Sequence, residues 1–157
     1  MTSQQPRTSV RSPIDGEVIA LAVVPDPVFS SQMVGSGVAI RPAPSDKPVE
    51  VRSPVAGKIL KLHPHAFVVF TDAKAGVLVH IGIDTVKMKG EGFELIAAEG
   101  DRVQAGDLIV TYDPAAIAAA GYSDVVPVVV MDTAPDTVES ASIGRSVATG
   151  EGLFDLP

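Results

Sequence analysis

The chain has 157 residues, enough for one domain with its own core, and 46% of them are hydrophobic while only 4% are aromatic. Its net charge of −7 argues against nucleic acid as a partner, because phosphate backbones select basic surfaces. The chain contains no cysteine, which excludes disulfides, thiolate zinc sites and thiol nucleophiles.

The N-terminal stretch "MTSQQPRTSV" has no apolar run, and no later stretch approaches the ~20 apolar residues of a membrane span. We therefore expect a cytoplasmic, soluble protein that does not insert into membranes. A disordered tail is expected at residues 1–9 and a single domain at residues 10–157.

Two phrases occur twice in the chain. "VRSPIDGEVIAL" at 10–21 returns as "VRSPVAGKILKL" at 51–62, and "GDRVQAGDLI" at 100–109 is echoed by "GRSVATGEGLF" at 144–154. The second pair shares Gly-x-x-Val-x-x-Gly, which predicts a turn whose glycines permit positive φ and whose valine packs inward. The duplication predicts a pseudo-symmetric β structure that is closed or nearly so.

Thirteen prolines and fourteen glycines favour short strands over long helices. The apolar segments predict strands at residues 17–23, 36–41, 57–62, 66–71, 76–83, 107–112, 125–130 and 146–149. "DPAAIAAAG" at 113–121 predicts a helix of about two turns, and "GFELIAAEG" at 92–100 predicts one or two more turns. The predicted fold class is all-β (mainly β), a compact β-sandwich or barrel-sandwich hybrid with a duplicated motif and a few short helices.

The stretch "GVLVHIGIDTV" at 76–86 places His80 with Leu78 and Gly82 on the strand face opposite the valines. In "HPHAFVVF", His65 shares a face with Phe67 and Val69 if the strand begins at residue 65. A turn-rich connector of hairpin length, "TDAKAG", then predicts antiparallel pairing, which brings His65 opposite or diagonal to His80.

A lone histidine on a strand is more often structural or solvated than functional. Two imidazoles on one patch instead indicate zinc ligands, an acid–base pair, or a nucleophile with its stabiliser. Asp84 either caps the turn after the strand or orients an imidazole and acts on it electrostatically.

The segment "VLVHIGIDTVKMKGEGF" resembles the signature of the glucose-type enzyme IIA domain of the bacterial phosphoenolpyruvate:sugar phosphotransferase system, and the resemblance runs from about residue 9 to 155. It implies an EIIA type-1 domain in which His80 carries a phosphoryl group and His65, in "HAF", stabilises it. The implied donor is the histidine phosphocarrier protein, and the implied acceptor is a cysteine on the IIB domain of a sugar permease. Regulatory target proteins are further implied partners, and no cofactor is required.

The segment "VPDPVFSSQMVGSGVAIRP" at 24–42 resembles the part of that family that contributes a partner-binding rim. The resemblance of this segment, and of the strand and turn around His80, implies a set of partner-binding residues. These are Asp26, Val28, Phe29, Val34, Leu78 and Val86. Ordinary core packing is the alternative for the apolar members. Gly82 is expected to leave space for the partner.

Two features depart from the family pattern. Some members have a threonine two residues before the second histidine, where this chain has His63, so His63 either replaces that hydrogen-bonding role or lies on the rim. The amphipathic N-terminal segment of some members is also missing, which argues against direct lipid docking. The imidazoles of His65 and His80 are expected to bind zinc weakly, or more tightly where a partner supplies a further ligand.

Three alternatives remain beside this hypothesis. His80-x-x-x-Asp84 and His63-x-His65 are the ligand motifs of a zinc metallopeptidase family with a duplicated β fold, although that family has them in the reverse order. "VKMKG" at 86–90 weakly resembles the lysine turn of biotinyl and lipoyl carriers. A non-catalytic regulatory binding module is the third.

Overall fold

The computed structural model describes residues 8–157, so the predicted tail lies outside the described residues except for its last two positions. The chain forms thirteen strands within this range, of which the first already begins at Ser9. These are β1 (Ser9–Arg11), β2 (Gly16–Ala20), β3 (Gly35–Pro42), β4 (Val49–Arg52), β5 (Gly57–His63), β6 (Ala66–Phe70), β7 (Gly76–His80), β8 (Phe93–Leu95), β9 (Arg102–Val103), β10 (Leu108–Tyr112), β11 (Val126–Met131), β12 (Ser146–Val147) and β13 (Gly152–Asp155).

The helices are short. The two α-helices are α1 (Pro27–Ser30) and α2 (Pro114–Ala120), and single 3-10 turns occupy Leu21–Val23 and Thr85–Met88. Both α-helices begin with an aspartate whose side chain accepts a backbone N–H, followed by proline, as the helix prediction for 113–121 required. No helix among residues 8–157 combines the length and the apolar character needed to cross a membrane.

Most strands belong to one curled sheet with the order β12-β2-β3-β11-β7-β6-β5-β9. A three-stranded sheet, β4-β10-β8, and the pair β1-β13 complete the structure. The inward side chains of β6, β7 and β11 meet in a large aliphatic core, in which Phe67, Val79 and Val128 are almost fully buried. The predicted mainly β fold class is confirmed.

The duplicated phrases form matching structures. Ser12 donates its hydroxyl to the carbonyl of Ile14, and Ser53 donates to the carbonyl of Val55. The N–H of Arg11 donates to Pro54 O at 2.9 Å, while the N–H of Arg52 donates to Pro13 O at 3.0 Å. The two halves therefore exchange equivalent bonds, as expected of a pseudo-symmetric pair.

The glycine turns are equivalent as well. Gly100 and Gly106 have φ of +93° and +96°, and Gly144 and Gly150 have φ of +89° and +90°. Val103, like its counterpart Val147, is buried between its two glycines. The turn predicted from Gly-x-x-Val-x-x-Gly is confirmed.

Some predicted elements are wrong. Residues 93–95 form β8 instead of a helical turn, because Phe93–Leu95 pairs with β10 at the edge of the three-stranded sheet, and this tertiary pairing outweighs local helix preference. The strand predicted to run from 76 to 83 ends at His80. The strand predicted for 17–23 ends at Ala20, where a 3-10 turn begins.

Candidate functional site

His80 lies at the C-terminal end of β7, where the chain leaves the sheet and turns sharply. Three backbone bonds fix the turn: Ile81 N–H donates to His65 O at 2.7 Å, Gly82 N–H to Val125 O at 3.0 Å, and Ile83 N–H to Ser123 O at 2.9 Å. Ile81 is fully buried in the core, so its side chain anchors the backbone directly after His80. The fold thus presents His80 from a rigid backbone.

Gly82 is required by the turn itself, which corrects the expectation that it makes room for a partner. The residue is buried and has φ of +77°, a conformation that favours glycine. A Cβ atom here would lie 2.5 Å from Thr85 Cγ2 and 2.9 Å from Ser123 O. Thr85, which the sequence reasoning did not select, is buried and donates its hydroxyl to Ile81 O at 2.5 Å.

The imidazole of His80 has a defined hydrogen-bond partner. Its Nδ1 lies 2.6 Å from Gly82 O, and because a carbonyl oxygen can only accept, Nδ1 carries the proton. In the neutral ring this leaves the lone pair on Nε2. The ring of Phe29 lies against the imidazole, with 5.1 Å between the ring centroids.

His65 is brought next to His80, with ring centroids 5.3 Å apart and the rings nearly perpendicular. The predicted antiparallel pairing of the two strands is confirmed, and Ala66 is the residue opposite His80. However, β6 begins at Ala66, and His65 belongs to the two-residue turn that joins β5 to β6. The expectation that His65 shares a strand face with Phe67 and Val69 is therefore wrong, since those side chains point into the core.

The third histidine extends the group. His63 is the last residue of β5, and its exposed ring stacks on His65 with centroids 5.7 Å apart and an angle of 24° between the planes. The three imidazoles thus form a row in the order His63, His65, His80.

The surroundings keep both inner imidazoles neutral. Burial lowers the pKa of His65 to about 4, and the nearby rings of His80 and His63 act in the same direction. Burial also lowers the pKa of His80, although the hydrogen bond to Gly82 and the carboxylates of Asp26 and Asp84 oppose this effect. At neutral pH both rings are available as neutral imidazoles.

The expected partner-binding residues differ in exposure. Val28 and Val86 are 44% and 56% exposed, whereas Phe29 is 6% exposed. Phe29 belongs to a small buried cluster, and the partly buried side chains of Val34 and Leu78 pack against this cluster. Phe29 therefore supports His80 from beneath, and Val28 and Val86 are the most exposed apolar side chains of the expected set.

The two carboxylates have different local roles. Asp26 caps α1 by accepting the N–H of Val28 at 2.9 Å. Asp84 is exposed, has φ of +62° at the start of the Thr85–Met88 turn, and makes no side-chain capping bond there. Of these two residues, only Asp26 makes a side-chain capping bond, so the interpretation of Asp84 as a capping residue is wrong.

The geometry does not favour a hydrolytic zinc centre. Within residues 8–157, no group of three or more histidine or carboxylate side chains is arranged to hold a metal ion. His63 and His65 stack face to face instead of converging, so the His-x-His motif does not form a chelating pair.

The chain is similar to known proteins in both sequence and structure. Residues 8–135 match the family model described as the phosphoenolpyruvate-dependent sugar phosphotransferase system, EIIA 1. Among solved structures, glucose permease IIA from Mycoplasma capricolum is similar, with a TM-score of 0.87 and 34% sequence identity over 98% of both chains.

Proposed function

The chain belongs to the EIIA 1 family of the phosphoenolpyruvate-dependent sugar phosphotransferase system, and from this we propose that Nε2 of His80 carries the phosphoryl group. The observation that supports the assignment is the 2.6 Å contact between His80 Nδ1 and Gly82 O, which leaves Nε2 as the free nitrogen. The proposed donor is the phosphohistidine of the histidine phosphocarrier protein. The proposed acceptor is the cysteine of a sugar-specific IIB domain, and both exchanges take place in the cytoplasm.

In the accepting step, the Nε2 lone pair of His80 attacks the phosphorus atom on the donor. A new N–P bond forms, the donor's N–P bond breaks, and its electron pair returns to the donor's imidazole. In the onward step, a cysteine thiolate attacks the same phosphorus and the electron pair of the His80 N–P bond returns to Nε2. The Nδ1 proton stays on the bond to Gly82 throughout, so the ring needs no tautomer change.

His65 is the proposed stabiliser of the phosphoryl group. Its ring lies beside that of His80, and a neutral imidazole can direct one N–H toward phosphoryl oxygens. Phosphoryl transfer requires mainly positioning and charge stabilisation, which a fixed imidazole pair supplies. Because the unphosphorylated site keeps the pKa of His65 near 4, no proton has to leave the pair before a donor docks.

The proposed docking surface surrounds this pair. Val28 and Val86 provide exposed apolar contacts, and Asp26 and Asp84 provide negative charge beside His80. Regulatory target proteins would use the same surface. Since donor and acceptor must follow one another on one site, a modest and transient interface is expected.

A partner-dependent zinc site is also compatible with these residues. His65 and His80 are two neutral imidazoles in contact, while a stable zinc shell needs about four ligands. We therefore propose weak zinc binding by this chain and tighter binding when a partner adds a carboxylate. Calorimetric titration of zinc would show weaker binding to the phosphorylated protein, and equal affinity for both forms would contradict the shared use of His80.

The central test is phosphorylation followed by intact mass. The protein is incubated with phosphoenolpyruvate, enzyme I and the histidine phosphocarrier protein, and an increase of one acid-labile phosphate is expected. His80→Ala should remain folded and gain no phosphate, because its side chain lies outside the core. Stoichiometric phosphate on His80→Ala would show that another residue is the acceptor, and hydrolysis of a peptidoglycan peptide by the zinc-loaded protein would favour the peptidase instead.

A further inference from the structure

His63 lies next to the proposed catalytic pair, and the family pattern does not account for it. It ends β5 and pairs with Ala66 across the hairpin, so the β-ladder fixes its backbone. Pro64 and His65 are the two residues of the turn between them. The ring of His63 is exposed and lies nearly parallel to that of His65.

The ring of His65 is positioned by contacts between rings. Within the described part of the chain, the only hydrogen bond to a histidine ring is that of His80 with Gly82. His65 is fixed through its backbone, whose carbonyl accepts the N–H of Ile81, but this bond leaves the side-chain torsions free. Its ring is therefore oriented by the stack on His63 and the edge contact with His80.

We propose that His63 is a positioning residue, whose imidazole holds the ring of His65 in the orientation from which it can direct an N–H to a phosphoryl group on His80. This inference rests on the proposed function. A centroid distance of 5.7 Å with a small angle between the planes is the usual geometry of an offset aromatic stack. A stack of this kind changes the population of one ring orientation by a factor of about two to ten.

The stacking explanation predicts how substitutions at residue 63 should rank. His63→Phe keeps a flat ring and removes the nitrogens, whereas His63→Thr offers a hydroxyl without a ring, and His63→Ala offers neither. We expect onward transfer from the phosphorylated protein to a glucose-type IIB domain to stay within about twofold for His63→Phe. For the threonine and alanine variants it should slow by about two- to tenfold.

Acceptance from the phosphocarrier protein should be unchanged in all three variants, which separates a positioning role from loss of folding. Lys58→Ala is the control, because Lys58 is an exposed residue of β5 near the end of the strand opposite to the turn. Equal onward rates in all variants would overturn the inference. A rate restored by threonine but not by phenylalanine would also overturn it, because the role would then be hydrogen bonding.

A second measurement does not depend on phosphate. Nuclear Overhauser contacts between the ring protons of His65 and His80 should persist in His63→Phe and weaken in His63→Ala. If the wild-type protein accepts no phosphate, the proposed function fails, while the ring contacts still decide whether His63 positions His65. Unchanged ring contacts in His63→Ala would refute the positioning role.

Discussion

Replacing Gly82 with alanine should destabilise the protein and disturb the candidate site together. The new Cβ would lie 2.5 Å from Thr85 Cγ2 and 2.9 Å from Ser123 O, and neither atom belongs to a flexible side-chain end. The residue would also have to keep φ of +77°, which costs a non-glycine residue about 1–2 kcal/mol. Overpacking adds about 1–3 kcal/mol, so the free energy of unfolding should fall by about 2–5 kcal/mol in total.

Gly100→Ala is the matched control for this substitution. Gly100 has φ of +93°, but no atom lies within 4 Å of the position of its Cβ, so it isolates the backbone cost. Urea unfolding followed by circular dichroism should therefore show Gly82→Ala to be less stable than Gly100→Ala by about 1–3 kcal/mol. Gly82→Ala should also accept phosphate more slowly, because relief of the clash moves the carbonyl that holds His80 Nδ1. Equal stability of the two variants, with normal phosphate acceptance, would show that the turn relaxes without cost and would refute this account of Gly82.

The other predictions concern the imidazole pair and its charges. His65→Gln should accept phosphate normally but pass it to the IIB domain at least about tenfold more slowly, because an amide replaces a fixed imidazole donor. Normal rates in both directions would show that His65 has no role in the transfer. The fold lowers the pKa of His65 from 6.5 to about 4. Between those pH values the unfolded chain therefore binds more protons than the folded protein. The wild type should lose stability relative to His65→Gln as the pH falls through this window. A constant difference across urea series from pH 7 to 4 would contradict that shift. Asp84→Asn should shift the phosphate equilibrium with the phosphocarrier protein toward phosphorylated His80 by about two- to fivefold, because the exposed carboxylate of Asp84 repels a phosphoryl dianion. The equilibrium is measured by intact mass. A shift in the other direction would exclude this repulsion.

Much of the fold follows from local sequence signals. The glycine turns around Val103 and Val147, and the helix after Asp113, depend on residues within a few positions of each other, and these predictions are confirmed. The segment at 92–100 depends on a partner strand instead. Its pairing with β10 supplies hydrogen bonds that no local pattern contains, and the helix prediction for it is therefore wrong.

The site could be predicted in part for the same reason. Hairpin pairing of β6 with β7 brings His65, which directly precedes β6, close to His80, and this pairing follows from the length of the connector. The precise position of His65 does not follow, because β6 begins at Ala66, one residue later than a shared face with Phe67 and Val69 requires, and His65 therefore lies in the turn. The contributions of Thr85 and of the carbonyl of Ser123 arise from the folded loop, where residues distant in sequence meet.

The carboxylates near His80 favour a positive charge on its ring and would disfavour the negative charge of the proposed phosphoryl group. Burial lowers the pKa of the ring more than Asp26 and Asp84 raise it, so the imidazole remains neutral and its Nε2 lone pair remains free for attack. A phosphoryl dianion on the same ring, as proposed, would instead be repelled by both carboxylates. Burial thus keeps the proposed nucleophile neutral, while the two carboxylates would limit the stability of the proposed phosphorylated form. The proposed carrier role, in which the phosphoryl group passes to a next acceptor, requires both properties, and a partly buried His80 beside two aspartates would supply them.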